Sequence, residues 1–353
     1  MSGATPTVGY VGLDHHHCPL YLESLERLPA EVVCACEPNP EFDPPGIDEL
    51  DDVPVYGDLE EVLTADVDAI WVTLPNRNTP NVIERAVEAG IDVYTEKPAA
   101  RTAAELEPLV ETVKNSEATV MVSYTWRGHP IPAKLREHSR RGFFGDVRSF
   151  SAQFIASALD TRDPDHYLYD AAASRGGILQ WLGIHWVDLL PWILDDPIAR
   201  VNASTQSNVD GVDVEDGATL QVETESGVHG SIDCGYYLRD GQYDTQIDIY
   251  GTAGESTWDP IGREFGFDDS TDLVLDSRDP EWTGTPRRTI TYDYDPAPGY
   301  GGAWGTEFMR SFFEARESDE DVPVDLRDAV RVLRVLDAAY DSADGGGWIT
   351  VDA

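Results

Sequence analysis

The chain holds 353 residues, with 66 acidic side chains against 25 Lys and Arg and a formal net charge of −41. Its 41% hydrophobic and 10% aromatic content is enough to build a core, which excludes an acidic disordered polymer. A surface this negative disfavours nucleic acid and anionic membranes as partners. It suits a protein working in molar salt, where the Debye length is about 3 Å and self-repulsion is screened.

Three of the basic residues are lysine (Lys97, Lys114, Lys134) and the rest are arginine. A lysine kept in that background points to chemistry a guanidinium cannot do, because only an ammonium gives up its proton when desolvated. No run of about 18 apolar residues occurs, and the start of the chain lacks the basic and apolar regions of a secretory signal, so a cytoplasmic protein is expected. Cys18, Cys34, Cys36 and Cys234 form no CxxC pair and read as core residues.

In chain order, Thr7 to Leu13 reads as a strand and His16 to Leu28 as a helix. Glu31 to Cys36 and Asp68 to Leu74 are strands, and Pro80 to Ala89 is a helix closed by Gly90. Ile91 to Thr95 is a strand, Thr102 to about Asn115 a helix, and Thr119 to Tyr124 a strand. This alternation predicts a doubly wound parallel sheet, with ligands at the carboxyl ends of its strands. The turn after Gly12, Pro75, Asn76, Glu96, Lys97 and Tyr124 all fall at those ends.

Beyond Arg127 the pattern changes. Ala133 to Arg141 is an amphipathic helix and Ile178 to Leu194 a very apolar one. Val147 to Ile155, Thr219 to Thr224, Val228 to Cys234 and Thr245 to Tyr250 alternate with period two. They predict a largely antiparallel sheet, hence an α+β second domain. Asp325 to Ala343 is the last long helix, followed by a glycine turn and a short strand. The expected division is 1–125 and 126–353.

The first strand leads into Gly12-Leu13-Asp14-His15-His16-His17, the place of a dinucleotide-binding turn. Gly12 holds the first glycine position, but Asp14 and His17 occupy the second and third. The Asp14 carboxylate would oppose a pyrophosphate; the imidazoles of His15 and His16 could offset it, and helix N-terminal amides remain. Neighbouring residues on a helix point about 100° apart, so His15 to Cys18 cannot converge on one ion and no metal is expected. Glu37 ends the second strand, where an acid accepts hydrogen bonds from an adenosine ribose. No Arg follows to receive a 2′-phosphate, which favours NAD over NADP.

With Glu37, Leu74-Pro75-Asn76 and Glu96-Lys97-Pro98 on such a sheet, the chain resembles the glucose-fructose oxidoreductase/inositol dehydrogenase/MocA (Gfo/Idh/MocA) family. Ala89-Gly90, Phe144 to Val147, Gly176-Gly177 and Ile249 to Gly254 match it in order and spacing, over nearly the whole length. The composition resembles that of proteins from a halophilic source. The resemblance implies an N-terminal Rossmann domain and a C-terminal α/β domain with an open, mostly antiparallel sheet. Homo-dimers or homo-tetramers would form through that sheet, and Glu96-Lys97-Pro98 would border the nicotinamide. It also implies catalysis by Lys97 and His185, with Trp181 at the place of the family's aspartate. His166, Tyr169, Asp170 and Asp188 are candidates for that missing acid. Tyr124, Trp126, Arg127 and Trp181 are candidates for substrate contact, although Arg127 could equally hold the two domains together. Three readings stay open: a nicotinamide-dependent dehydrogenase of a sugar, cyclitol or polyol, a binding or regulatory protein, and a lyase or hydrolase using bound NAD.

Overall fold

The computed structural model describes residues 5–42, 47–159, 166–263, 270–294, 297–318 and 320–352. It comprises two compact units, 1–128 with 296–330, and 129–295 with 331–353. No helix among the described residues is long and apolar enough to cross a membrane.

The first unit begins with β1 (Thr7–Val11), α1 (Cys18–Leu25), β2 (Glu31–Cys36), β3 (Val55–Tyr56) and α2 (Leu59–Leu63). It continues with β4 (Ala69–Val72), α3 (Thr79–Glu88), β5 (Asp92–Thr95), α4 (Ala103–Lys114) and β6 (Val120–Val122). The six strands are all parallel, in the order β3-β2-β1-β4-β5-β6. Chain direction reverses its winding at β1, so the β1/β4 junction is the switch point where ligands bind. Ala69, Ile70, Trp71 and Val72 of β4 are all buried, as a strand covered on both faces requires. The first helix starts two residues later than the apolar pattern suggests. His15 Nδ1 accepts the His17 N–H at 3.0 Å and shapes a turn, and Pro19 opens the helix.

The second unit contains α5 (Pro130–Arg140), β7 (Val147–Ser157), α6 (Ala171–Ser174), α7 (Ile184–Leu194), β8 (Ile198–Gln206), β9 (Gly217–Thr224) and β10 (His229–Leu238). It goes on through β11 (Asp244–Gly251), β12 (Gly254–Trp258), β13 (Ser270–Ser277) and β14 (Arg287–Asp293). The apolar segment expected as one α-helix from Ile178 is interrupted: Leu179–Gly183 is a π-helical turn and α-geometry starts at Ile184. Gly183 packs so closely on β10 that a Cβ there would meet Cys234 Sγ at 2.9 Å.

The chain then returns to the first unit with α8 (Gly302–Ser318) and the start of α9 (Leu326–Gly345). Phe312 and Phe313 of α8 pack around the stacked pair Trp71–Tyr94, whose ring centroids are 3.8 Å apart. Val324 adds a backbone bond to β6, its carbonyl accepting the Val122 N–H at 3.1 Å. After α9, β15 (Ile349–Thr350) completes a nine-stranded sheet in the second unit, ordered β14-β13-β12-β11-β7-β10-β9-β8-β15. Every pairing is antiparallel except β7 with β10.

Candidate active site

At the carboxyl edge of the parallel sheet, Gly12 has a φ of +98°, and a Cβ on it would lie 2.5 Å from the Thr73 carbonyl oxygen. Only glycine fits there, because the turn presses against the end of β4 and the backbone is left-handed. Thr73 Oγ1 seals the contact by donating to the Gly12 carbonyl at 2.5 Å. Glu37 is buried beside this turn, and its Oε2 accepts the N–H groups of Leu13 (2.6 Å) and Asp14 (3.0 Å). Its Oε1 accepts from Asn39 N at 2.7 Å, so three backbone N–H groups hold the carboxylate. Asp14 is exposed and leans towards Asn39, whose Nδ2 donates to Asp14 Oδ2 at 3.2 Å. His15 is buried, and His16 is exposed and stacks on it at 4.7 Å.

Across the switch point, β5 is followed by Glu96 and Lys97, both buried, with a cis peptide between Lys97 and Pro98. The Lys97 ammonium lies 3.8 Å from Glu96 Oε1, and the Lys97 N–H donates to the same oxygen at 3.1 Å. Burial pushes the Lys97 amine down to about 8, while the Glu96 charge pulls the other way. Burial alone would raise the Glu96 carboxyl. The His17 hydrogen bond, the Lys97 charge and the Tyr21 hydroxyl outweigh it and hold the carboxyl below its ordinary value. Together these give a lysine that can exchange a proton near neutrality, with an ionised partner beside it.

Pro75 and Asn76 form the turn after β4, Asn76 buried and Pro75 half-buried. Thr79 opens α3 and donates to the Leu74 and Pro75 carbonyls at 3.3 Å. Tyr124 and Trp126 follow β6 and are buried, Trp126 packing on Trp304 with centroids 5.3 Å apart. Arg127 pairs with Asp328 at 3.1 Å and donates to the Pro323 carbonyl at 3.4 Å, fastening the return segment to the end of β6.

In the second unit, Trp181 lies in the π turn and His185 at the start of α7, each 4% exposed. A π turn adds a residue relative to an α-helix, so the face shared by residues four apart is rotated between them. What fixes this segment is Glu215, a residue the sequence offers no motif for. Its Oε2 accepts Gly177 N at 2.8 Å, and its Oε1 accepts Leu179 N and the Tyr340 hydroxyl, each at 3.0 Å. The Gly176-Gly177 pair exists for this contact: a Cβ on Gly176 would overlap the Tyr340 hydroxyl and one on Gly177 the Glu215 carbonyl. Among candidates for a replacement acid, His166 and Asp170 cap short helices, accepting from Leu168 N (3.3 Å) and Ala172 N (2.8 Å). Tyr169 and Asp188 are both buried.

The residues missed by sequence reasoning cluster around Glu96: His17 and Tyr21 of the turn and α1, Tyr94, Ser123 and Tyr300. They lie far apart in the chain, and only the folded sheet brings them together.

The profile of an oxidoreductase family with an NAD-binding Rossmann fold matches residues 7–124, and that of the GFO/IDH/MocA C-terminal domain matches residues 133–257. A D-xylose 1-dehydrogenase (NADP(+)) of Haloferax volcanii is 28% identical over 311 residues, covering 86% of this chain and 87% of its own. Levoglucosan dehydrogenase of Pseudarthrobacter phenanthrenivorans is 22% identical, covering 97% of this chain and 96% of its own. A solved levoglucosan dehydrogenase in complex with NADH and levoglucosan superposes with a TM-score of 0.84 at 19% identity, covering 99% of this chain and 100% of that one.

Proposed function

The chain belongs to the Gfo/Idh/MocA oxidoreductase family, and on that premise we propose that it is an NAD-dependent dehydrogenase acting on a CH–OH group of a sugar, cyclitol or related polyol. The single observation that carries this reading is Lys97, a fully buried amine just after β5 and 3.8 Å from the Glu96 carboxylate, where burial loosens its proton. When bound, the nicotinamide ring supplies or accepts the hydride. Lys97 orients the substrate oxygen and can take up its proton in the neutral form. On the family's pattern, His185 of the second unit is proposed as an acid–base group. On the same pattern Trp181 takes the place of an acid, and an indole exchanges no proton.

Gly12, the turn from Asp14 to His16, Glu37, Pro75, Asn76 and Glu96 are assigned to the cofactor. The fit rests on the Gly12 cradle and on the Glu37 carboxylate at the end of β2. NAD is proposed ahead of NADP because Glu37 is followed by Pro38, Asn39, Pro40, Glu41 and Phe42, with no cation for a 2′-phosphate. This departs from the Haloferax relative, whose name specifies NADP(+). Tyr124, Trp126 and Trp181 remain candidates for substrate contact, and Arg127 is assigned to its pair with Asp328.

Two wider properties belong to the same reading. The net charge of −41 and the Haloferax relative support a salt-adapted cytoplasmic enzyme. Tyr237, Tyr250, Ile290 and Trp348, on or beside the nine-stranded sheet, are exposed large side chains and support a homo-oligomer formed through it. Light scattering in molar KCl would return a dimer or tetramer mass if so, and a monomer mass otherwise. For the cofactor, NADH added to the protein in molar KCl should quench tryptophan fluorescence saturably, with NADPH weaker. No response at millimolar NADH would defeat the redox assignment and favour a binding protein.

A further inference from the structure

The place of the third glycine carries His17, and one helical turn later α1 presents Tyr21. The Tyr21 hydroxyl lies 2.5 Å from Glu96 Oε2 and 2.7 Å from Ser123 Oγ. Ser123 in turn receives the Tyr94 hydroxyl at 2.9 Å and meets Thr125 Oγ1 at 2.9 Å. His17 Nδ1 approaches the same Glu96 Oε2 at 3.3 Å. With Oε2 tied on that side, Oε1 is left facing the backbone N–H and the ammonium of Lys97. The tyrosine ring is itself clamped between Tyr300 (4.6 Å), Trp71 (5.8 Å) and Tyr94 (6.2 Å). A small side chain at position 21 could reach none of these groups.

We propose that Tyr21 is a positioning residue that fixes the Glu96 carboxylate against the Lys97 ammonium and so sets how readily Lys97 gives up its proton. The inference deepens the proposed role of Lys97 and rests on it for its catalytic meaning. Among the described residues, the titratable groups seen to act on the pair include His17 of the turn, Tyr10 of β1, Tyr21 of α1, Tyr94 of β5 and Tyr300 of the return segment. Burial pushes all four phenols up, so they stay neutral, and burial lowers His17. Glu96 is therefore a charge that opposes the burial of Lys97. A Glu96 released from Tyr21 swings away, burial acts less opposed, and Lys97 titrates at lower pH.

The scarcity of lysine makes this measurable without a substrate. Protein labelled with carbon-13 at lysine Cε gives one signal from each of three lysines, and Lys97→Met identifies which is Lys97. In the wild type this signal should titrate with a midpoint of about 8. Tyr21→Phe keeps the ring packing and should lower the midpoint by about 0.5 unit or more. In a Glu96→Gln background the same Tyr21→Phe change should produce no further shift, because Tyr21 acts only through the carboxylate. An unmoved midpoint in Tyr21→Phe, or an equal shift with Glu96→Gln present, would overturn the inference. If circular dichroism shows Tyr21→Phe to be unfolded, Ser123→Ala, which removes the second partner of the tyrosine hydroxyl, carries the same test in the same direction. A midpoint that moves as expected while Lys97→Met retains wild-type turnover would sustain the positioning role and reject the catalytic one.

Discussion

Glu215→Ala is the perturbation whose cost the structure defines best. Glu215 is 6% exposed, and its carboxylate accepts two backbone N–H groups and one phenol O–H at 2.8 to 3.0 Å. Hydrogen bonds to a charged acceptor contribute about 1.5–3 kcal/mol each, and a donor orphaned in the interior costs about 1–3 kcal/mol. The three are not additive, and the isolated charge is relieved of its own burial, so a net loss of about 3–5 kcal/mol follows. For a unit of this size that corresponds to a fall in Tm of roughly 8–15 °C. Tyr340→Phe removes one of the three bonds and should cost about 1.5 kcal/mol, the low end of that range. Burial raises the Glu215 carboxyl above its unfolded value, the hydrogen bonds opposing it. Its contribution is then fully present in acid and declines as pH rises past about 4.3, so the gap between wild type and Glu215→Ala should narrow with rising pH. Thermal unfolding followed by circular dichroism in molar KCl reads both effects. A Glu215→Ala protein within about 0.5 kcal/mol of wild type would refute the idea that this carboxylate anchors the Trp181–His185 segment.

The remaining predictions concern the first unit. Gly12→Ala places a Cβ 2.5 Å from the Thr73 carbonyl at a φ of +98°; it should lower Tm and abolish NADH-induced fluorescence quenching. Glu37→Ala frees the Leu13 and Asp14 amides and removes the ribose acceptor, so NADH affinity measured by titration calorimetry should fall about tenfold or more while NADPH affinity holds or improves. Oxidative kcat/KM should rise with pH through about 8 as Lys97 loses its proton, and reductive kcat/KM should fall through the same range. A flat profile across that range would remove Lys97 from the proton chemistry.

The sequence made the parallel sheet readable because β1, β4 and β5 are short apolar runs bounded by turn residues, and Gly90 marks the end of α3. Glu96 and Lys97 could be placed at a strand end for the same reason. β14 was hidden because its side chains are mostly exposed and polar, and β3 because two residues carry no periodicity. The π turn at Leu179–Gly183 was invisible since an apolar stretch has no polar face to show the slip. The return of 296–330 to the first unit depends on contacts such as Phe312 with Trp71, which no local pattern announces. The carboxylate network was missed for a related reason: Tyr21 and Glu96 are 75 residues apart, and a tyrosine one turn into a helix reads as core until the sheet places it.

The central claim is that an amine at position 97 serves NAD-linked oxidation of a sugar or polyol, and its most direct test is NAD reduction followed by absorbance. Wild type and Lys97→Met, both in molar KCl, would be offered a panel of aldoses, anhydrosugars, cyclitols and polyols with NAD and with NADP. The account predicts turnover of at least one panel member with NAD, reduced by more than about a hundredfold in Lys97→Met while NADH binding persists. Wild-type protein that binds NADH yet oxidises nothing in the panel, or Lys97→Met turning over at the wild-type rate, would contradict it.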